Sequence, residues 1–73
     1  MQEVKITYSM TKRKGDAEYE ATTTINVCLD NKHIEAFKSP TMYREQRENN
    51  EFVRLLARVQ GYDEATIKSV EVA

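Results

Sequence analysis

The sequence predicts a small α+β domain in which a three-stranded antiparallel sheet carries a long helix on one face. Two alternating segments rich in β-branched residues, separated by a glycine turn, fill the first 29 residues. Helical periodicity follows to residue 60, and a short alternating segment comes after a second glycine. The predicted element order is β-β-α-α-β. A chain of 73 residues predicts one domain spanning 1–73.

The first two strands are predicted to form a hairpin. Apolar and polar residues alternate over residues 4–10 and again over residues 19–29, which is typical of strands with one buried face. Gly15 lies between them, and a tight turn with Gly15 at positive φ is expected. Pairing Met10 with Tyr19 places both apolar sets on one face, where Tyr8 and Tyr19 would be covered.

A short helix is predicted next, over residues 30–38. Asp30 is expected to be its N-cap, because an aspartate side chain can accept a hydrogen bond from a backbone N–H of the first turn. Ile34 and Phe37 are expected on its inner side.

A second, long helix is predicted over residues 40–60. Ser39 is its expected N-cap and Pro40 its first residue, a position that tolerates the missing N–H of proline. Gly61 is expected to end the helix, with Tyr62 packing back onto its last turn.

The long helix has an unusual division into a polar and an apolar half. The segment 44–51 has no apolar residue, so it is not expected to lie on the sheet as the second half does. It either overhangs the domain or breaks near Asn49 and Asn50. The residues expected to face the sheet and hold the fold are Phe52, Leu55, Leu56 and Val59.

The last strand is predicted over residues 67–72, with Val70 and Val72 sharing a face with Lys68. A right-handed crossover places it beside the first strand, which gives the strand order 2-1-3 and puts the last strand at an edge. The uncovered sheet face is then polar, carrying Lys5, Thr7, Ser9, Thr22, Thr24 and Asn26.

Composition excludes several classes of protein. The chain is 32% charged and 40% hydrophobic with a net charge of −1, which is globular composition and argues against a strong polyanion binder. No apolar run could span a membrane, and the first residues do not resemble a signal peptide. The single cysteine fits a reducing compartment, so a cytoplasmic location is expected.

The small size raises the question of what stabilises the fold. One cysteine permits no internal disulfide, and with one histidine no Cys/His zinc site can form. Domains of this size often need such a support, so a homodimer is one expected solution.

No enzymatic activity, cofactor or metal is expected. Cys28 and His33 are close enough in sequence to suggest a thiol–imidazole pair, but no third orienting group is evident. With two glycines, the chain also has no glycine-rich phosphate-binding loop.

Arginines recur at helical spacing along the long helix and are predicted to share an arc of about 80°. They are Arg44, Arg47, Arg54 and Arg58. Together with Met42 and Tyr43 near the start of the helix, they form a candidate binding surface for a partner protein. The alternative is a solvated face in which Arg44 pairs with Glu48 and Arg47 with Glu51, since such i,i+4 pairs are common on exposed helices.

A second cationic group, Lys12, Arg13 and Lys14, is predicted at the hairpin tip and could contact nucleic-acid phosphates. The alternative is charge that protects a strand edge. The acidic residues that follow weaken the local field, which favours this alternative.

The sequence therefore favours a non-enzymatic protein-interaction module, an adaptor or inhibitor, with nucleic-acid binding as the alternative. An RNA-binding sheet would need exposed aromatic residues on its open face. That face is predicted to be rich in threonine.

Overall fold

The computed structural model describes residues 1–72 and has the predicted element order. Its elements are β1 (Gln2–Lys14), β2 (Ala17–Leu29), α1 (Asn31–Ala36), α2 (Tyr43–Val59) and β3 (Glu64–Val72). The three strands form one antiparallel sheet in the order β2-β1-β3, as predicted. The helices cover one face of it. No helix within residues 1–72 is long and apolar enough to cross a membrane.

The β1–β2 hairpin closes with a two-residue turn at Gly15 and Asp16. Gly15 has a φ of 63°, which confirms the predicted positive φ. The predicted register is wrong by two residues, because Met10 pairs with Ala21 and Tyr19 lies opposite Lys12. The reason is the position of the turn: pairing Met10 with Tyr19 centres it on Lys14 and Gly15, whereas the chain turns at Gly15 and Asp16. Moving a turn by one residue moves the register by two. A shift of two residues preserves the faces, but Tyr19 lies beyond the covered area and is 47% exposed.

The core lies between the central strand and α2. Because β1 has a neighbour on each side and a helix above it, its inward side chains are the most deeply buried. The buried cluster consists of Val4, Ile6, Tyr8, Met10, Val53 and Ala57. On the other face the residues are polar, as predicted, and Thr7 and Thr24 share a hydrogen bond of 2.9 Å between their hydroxyl oxygens.

The short helix confirms its prediction. Asp30 is the N-cap, and its carboxylate accepts a 2.9 Å hydrogen bond from the backbone N–H of His33. Ile34 and Phe37 are half-buried and pack against the core.

The start of α2 differs from the prediction. The helix begins at Tyr43 with Met42 as N-cap, and no side chain caps it. The Ser39 hydroxyl instead accepts a hydrogen bond from the backbone N–H of Thr41, within the turn that contains Pro40. The Ser39 hydroxyl is therefore used within this turn and does not cap α2. From Tyr43 the helix runs to Val59 without a break at Asn49 and Asn50.

The face that α2 turns toward the sheet also differs from the prediction. Val53 and Ala57 are fully buried, whereas Leu55 is 60% and Val59 86% exposed, so the expectation that Leu55 and Val59 hold the fold is wrong. The prediction placed the largest apolar side chains of α2 against the sheet, and the buried face of the helix is a different one. A small residue, Ala57, lies where the helix meets the sheet. The other two residues expected to face the sheet, Phe52 and Leu56, lie half-buried beside the core.

Gly61 ends α2 as predicted. Its φ is 90°, and its N–H donates to the carbonyl of Arg58. The N–H of Tyr62 donates to the carbonyl of Ala57 at 2.9 Å, which completes a Schellman motif. Tyr62 then packs against the core.

The last strand starts three residues earlier than predicted and contains a bulge. Thr7 pairs with Ser69 and Tyr8 with Ile67, so Lys68 is an extra residue. The bulge places Ile67 and Val70 on the same, covered face, which simple alternation along β3 did not predict. The edge position of β3 is confirmed.

Candidate functional site

The polar half of α2 packs against α1. The side-chain amide of Asn49 donates a 3.0 Å hydrogen bond to the carbonyl of His33, and Asn49 is almost fully buried. The amide of Gln46 donates to the carbonyls of Ala36 and Ser39. These carbonyls lie in or just after α1, where a helix leaves its last C=O groups without internal partners. From Gln46 onward the polar half therefore neither overhangs nor breaks, and both predicted alternatives are wrong.

His33 connects the two helices through its ring. Its Nδ1 lies 2.6 Å from Asp30 Oδ1, and its Nε2 lies 3.1 Å from Glu48 Oε1. The hydrogen bond to Asp30 raises the pKa of His33, partial burial opposes this, and Glu48 adds to the rise. The pKa of Asp30 is lowered, chiefly by the backbone N–H of His33 and then by the ring. A protonated His33 therefore binds a carboxylate on each side.

The structure does not bring Cys28 and His33 together. Cys28 is exposed and pairs with Glu3 on the uncovered face of the sheet. The ring of His33 lies between the helices, on the covered face, with both nitrogens facing carboxylates. Among residues 1–72, no cluster of three or more His, Cys, Asp or Glu side chains could hold a metal ion.

The arginines of α2 lie where the helical spacing placed them, but their surroundings differ. Arg54 is half-buried, and its Nε lies 3.2 Å from Glu64 Oε2 on β3. Arg44, Arg47 and Arg58 are exposed, and in the described part of the chain no carboxylate lies within 4.0 Å of their guanidinium groups.

The two ion pairs expected for a solvated helix face do not form. Glu48, the expected partner of Arg44, faces His33 instead. Glu51, the expected partner of Arg47, makes no ion pair with a described residue. Three arginines of α2 are thus available to an outside group.

Tyr43 borders the exposed arginines. It is the first residue of α2, one turn before Arg47, and is 72% exposed. Met42 precedes it at the N-cap and is half-buried. Tyr43 is therefore the more accessible of the two predicted contact residues.

The three basic residues near the hairpin tip, Lys12, Arg13 and Lys14, have different surroundings. Lys12 Nζ lies 4.9 Å from the ring centre of Tyr62 and 5.5 Å from that of Tyr19. Alternation places Arg13 on the opposite face, with its guanidinium 3.6 Å from Glu18. Lys14 is exposed beside the turn. The three residues do not form one continuous cationic patch.

The sequence reasoning did not identify the polar contacts that join the helices. A signal was present, because Gln46, Asn49, Val53 and Ala57 follow one another at spacings of three or four residues and so share a helix face. Reading that face as polar at one end and apolar at the other would have predicted a helix that crosses from the sheet onto α1.

Comparison with known proteins identifies no relative of this chain. No protein-family model matches this chain, and neither does a curated protein or a solved structure.

Proposed function

We propose that this protein is a small non-enzymatic interaction module that binds an acidic surface of a partner protein. The binding residues are Arg44, Arg47 and Arg58 with Tyr43, here called the arginine surface. The observation that supports this most is that the three arginines share one exposed helix face without a carboxylate partner among residues 1–72.

The chemistry of these side chains suits protein recognition. Arginine and tyrosine are enriched at protein interfaces, and both are frequent among the residues that contribute most to binding. The guanidinium group can donate two parallel hydrogen bonds to one carboxylate. Acidic side chains on a partner therefore match this surface.

Arg54 has a smaller role in this proposal. It was predicted as part of the same surface, but its guanidinium group already faces the carboxylate of Glu64. We expect it to position α2 against β3 rather than to bind a partner.

The proposal is tested by reversing charge on the arginine surface. The variant carries Arg44→Glu, Arg47→Glu and Arg58→Glu, and the control carries Lys14→Glu, Lys32→Glu and Lys38→Glu, which change the net charge equally at other exposed sites. Tagged proteins would be used to capture partners from nuclease-treated extract of the source cells. A protein bound by wild type and control but lost with the arginine variant supports the proposal. Equal capture by all three contradicts it.

Nucleic-acid binding is separated by a direct titration with a labelled DNA duplex and a labelled single-stranded RNA. For each tenfold rise in salt, binding weakens by about 0.9 log units per neutralised phosphate of duplex DNA and by about 0.7 log units per neutralised phosphate of a single strand. Tight binding with that dependence, weakened by both charge-reversal variants, would favour the alternative function. The cytoplasmic location stays a prediction.

A further inference from the structure

The two edges of the sheet are protected very differently. The β3 edge carries Glu64, Lys68 and Glu71 and contains the bulge at Lys68. Charges and bulges are two devices that prevent another strand from pairing with an edge. The β2 edge pairs with β1 over all thirteen residues without a register shift. From Ala21 to Leu29 it has no charged residue and no proline.

The helix α2 lies closer to β3 than to β2, so the β2 side of the sheet is only partly covered. Arg54 on one flank of α2 contacts Glu64, and Asn50 on the same flank lines a cleft with Ile67, so that flank lies toward β3. At 100° per residue, Phe52 and Val59 lie about 100° or more from Val53 in the opposite direction. The flank carrying Phe52 and Val59 therefore lies toward β2, and Leu55, about 160° from Val53, lies beside it on the outer side of α2.

On the helix-covered face of the sheet, apolar side chains are exposed along the β2 edge. Leu55 and Val59 are exposed on α2, and Tyr19 is partly exposed on β2. The inward side chains of β2 are only half-buried, whereas those of β1 are buried. They are Ala21, Thr23, Ile25, Val27 and Leu29.

The total exposed area is also large for a monomer. The chain exposes 5204 Å², whereas a folded monomer of 8.5 kDa is expected to expose about 4,700 Å². A standard protein interface buries about 800 Å² on each partner. The excess, about 500 Å², is a substantial part of that.

We propose that β2 pairs with β2 of a second copy of this chain, giving a two-fold dimer with a continuous six-stranded sheet. Antiparallel pairing of one strand with itself is self-complementary, as a two-fold interface requires. Directly opposed residues of antiparallel strands lie on the same face, so both α2 helices lie on one face with their apolar flanks toward each other.

The distribution of charge favours the antiparallel arrangement. Glu18 and Glu20 lie at one end of β2, and Ala21 to Leu29 is uncharged. In a pairing centred on Thr23, Glu18 lies opposite Cys28 of the second copy and Glu20 opposite Asn26. Parallel pairing in register would instead place like charges side by side, which is destabilising.

The edges that remain explain why assembly would stop at two. Once β2 pairs with its copy, both outer edges of the six-stranded sheet are β3, with its charges and bulge. On α2 the interface includes Leu55, which lies three residues before Arg58 and about 60° from it, so the β2 strand rather than the helix separates the dimer interface from the arginine surface.

Two variants and a matched control test this interface by sedimentation equilibrium at about 1 µM to 1 mM. One variant, Thr22→Lys with Thr24→Lys, adds like charges beside the two-fold axis. The other, Leu55→Lys with Val59→Lys, changes the apolar flank. The control, Thr66→Lys with Ser69→Lys, makes matching changes on the β3 edge. All six positions are exposed in the single chain, so folding should be retained, and circular dichroism checks this.

The wild-type mass is expected to rise from 8.5 kDa toward twice that value with concentration. Each of the two variants should weaken dimerisation at least about tenfold, because the substitutions place like charges next to each other across the interface. The control should dimerise as the wild type does. In NMR spectra, concentration-dependent shifts should concentrate on β2 and the Leu55–Val59 flank.

A wild-type mass that stays at 8.5 kDa over the whole range would overturn the proposal. Undiminished dimerisation of both variants, or a dimer lost only in the β3 control, would overturn it as well. The partner capture described for the arginine surface is read separately, so either proposal can fail alone.

Discussion

The side chain of Asn49 on α2 and the backbone carbonyl of His33 on α1 are joined by a hydrogen bond of 3.0 Å. Asn49 is almost fully buried, so water cannot easily replace this contact. It is one of the contacts that fix the polar half of α2 on α1.

Replacing Asn49 by alanine is therefore expected to cost about 1–3 kcal/mol, because it leaves the His33 carbonyl without its partner. The measurement is urea unfolding followed by circular dichroism. Asn50→Ala is the matched control, since Asn50 is adjacent but exposed, and its effect should stay within about 0.5 kcal/mol. Equal effects of the two substitutions would mean that Asn49 does not support the helix pair.

Stability should decline as pH rises through the raised pKa of His33. The folded protein favours the protonated ring more than the unfolded chain does, because Asp30 and Glu48 accept from it. Its contribution is complete below the ordinary value of 6.5 and is lost as pH passes the higher folded pKa. The opposite holds for Asp30, whose contribution is present above 3.8 and is lost as pH falls through its lowered pKa.

The His33 prediction is well isolated, because the chain has a single histidine. Urea unfolding between pH 6 and pH 9 should show the decline, and His33→Gln should reduce it. An NMR titration should give His33 a pKa above 6.5 that drops in Glu48→Gln. An unchanged pKa in that variant would contradict the contact between Glu48 and His33.

Val53 and Val59 offer a matched pair within one helix. Val53 is fully buried and Val59 is exposed. Val53→Ala should lower the free energy of unfolding by roughly 1.5–3 kcal/mol, the value of burying such a side chain. At low micromolar concentration Val59→Ala should have an effect within about 0.5 kcal/mol. A larger loss at Val59 would indicate that the originally expected face is the one that packs.

Lys12 is expected to stabilise the fold through its charge. Its Nζ lies over the rings of Tyr62 and Tyr19. Lys12→Met keeps an apolar chain of similar length but removes the charge, and should cost about 0.5–1 kcal/mol in thermal or urea unfolding. Lys14→Met, two residues on and exposed, is the control and should be nearly neutral. If both variants unfold alike, the cation contributes nothing at Lys12.

Gly61→Ala is expected to destabilise the protein by about 1–2 kcal/mol, since a side chain at positive φ meets its own backbone. Nothing else would obstruct the new methyl group, so backbone strain alone should account for the loss. Gly61→Asn should cost less, because asparagine tolerates this conformation better. An alanine variant as stable as the wild type would contradict a positive φ at this cap.

The features that the sequence predicted correctly depend on local chemistry. The alternation of β1 and β2, the aspartate cap of α1, the glycine in the hairpin turn and the glycine that ends α2 each involve residues close together in the chain. The α2 arginines likewise lie at their predicted spacing. Their partners do not follow from spacing, because Glu64 takes Arg54 and His33 takes Glu48.

The errors arise where tertiary packing decides between local alternatives. Leu55 is larger than Val53, and Val59 is larger than Ala57, but the smaller residue of each pair is the one that lies against the sheet. Ser39 and Pro40 form a good helix start in isolation, yet the chain uses them in a turn. The two-residue error in the hairpin came from centring the tight turn on Lys14 and Gly15 instead of Gly15 and Asp16.

The strand order also has a consequence for biosynthesis. Thr11 on the central strand pairs with Glu64, which a ribosome adding about 5–20 residues per second translates several seconds later. During that interval the nascent hairpin has no third strand, and the apolar side of β1 has no helix above it. We therefore expect the complete sheet to form only after β3 has left the exit tunnel.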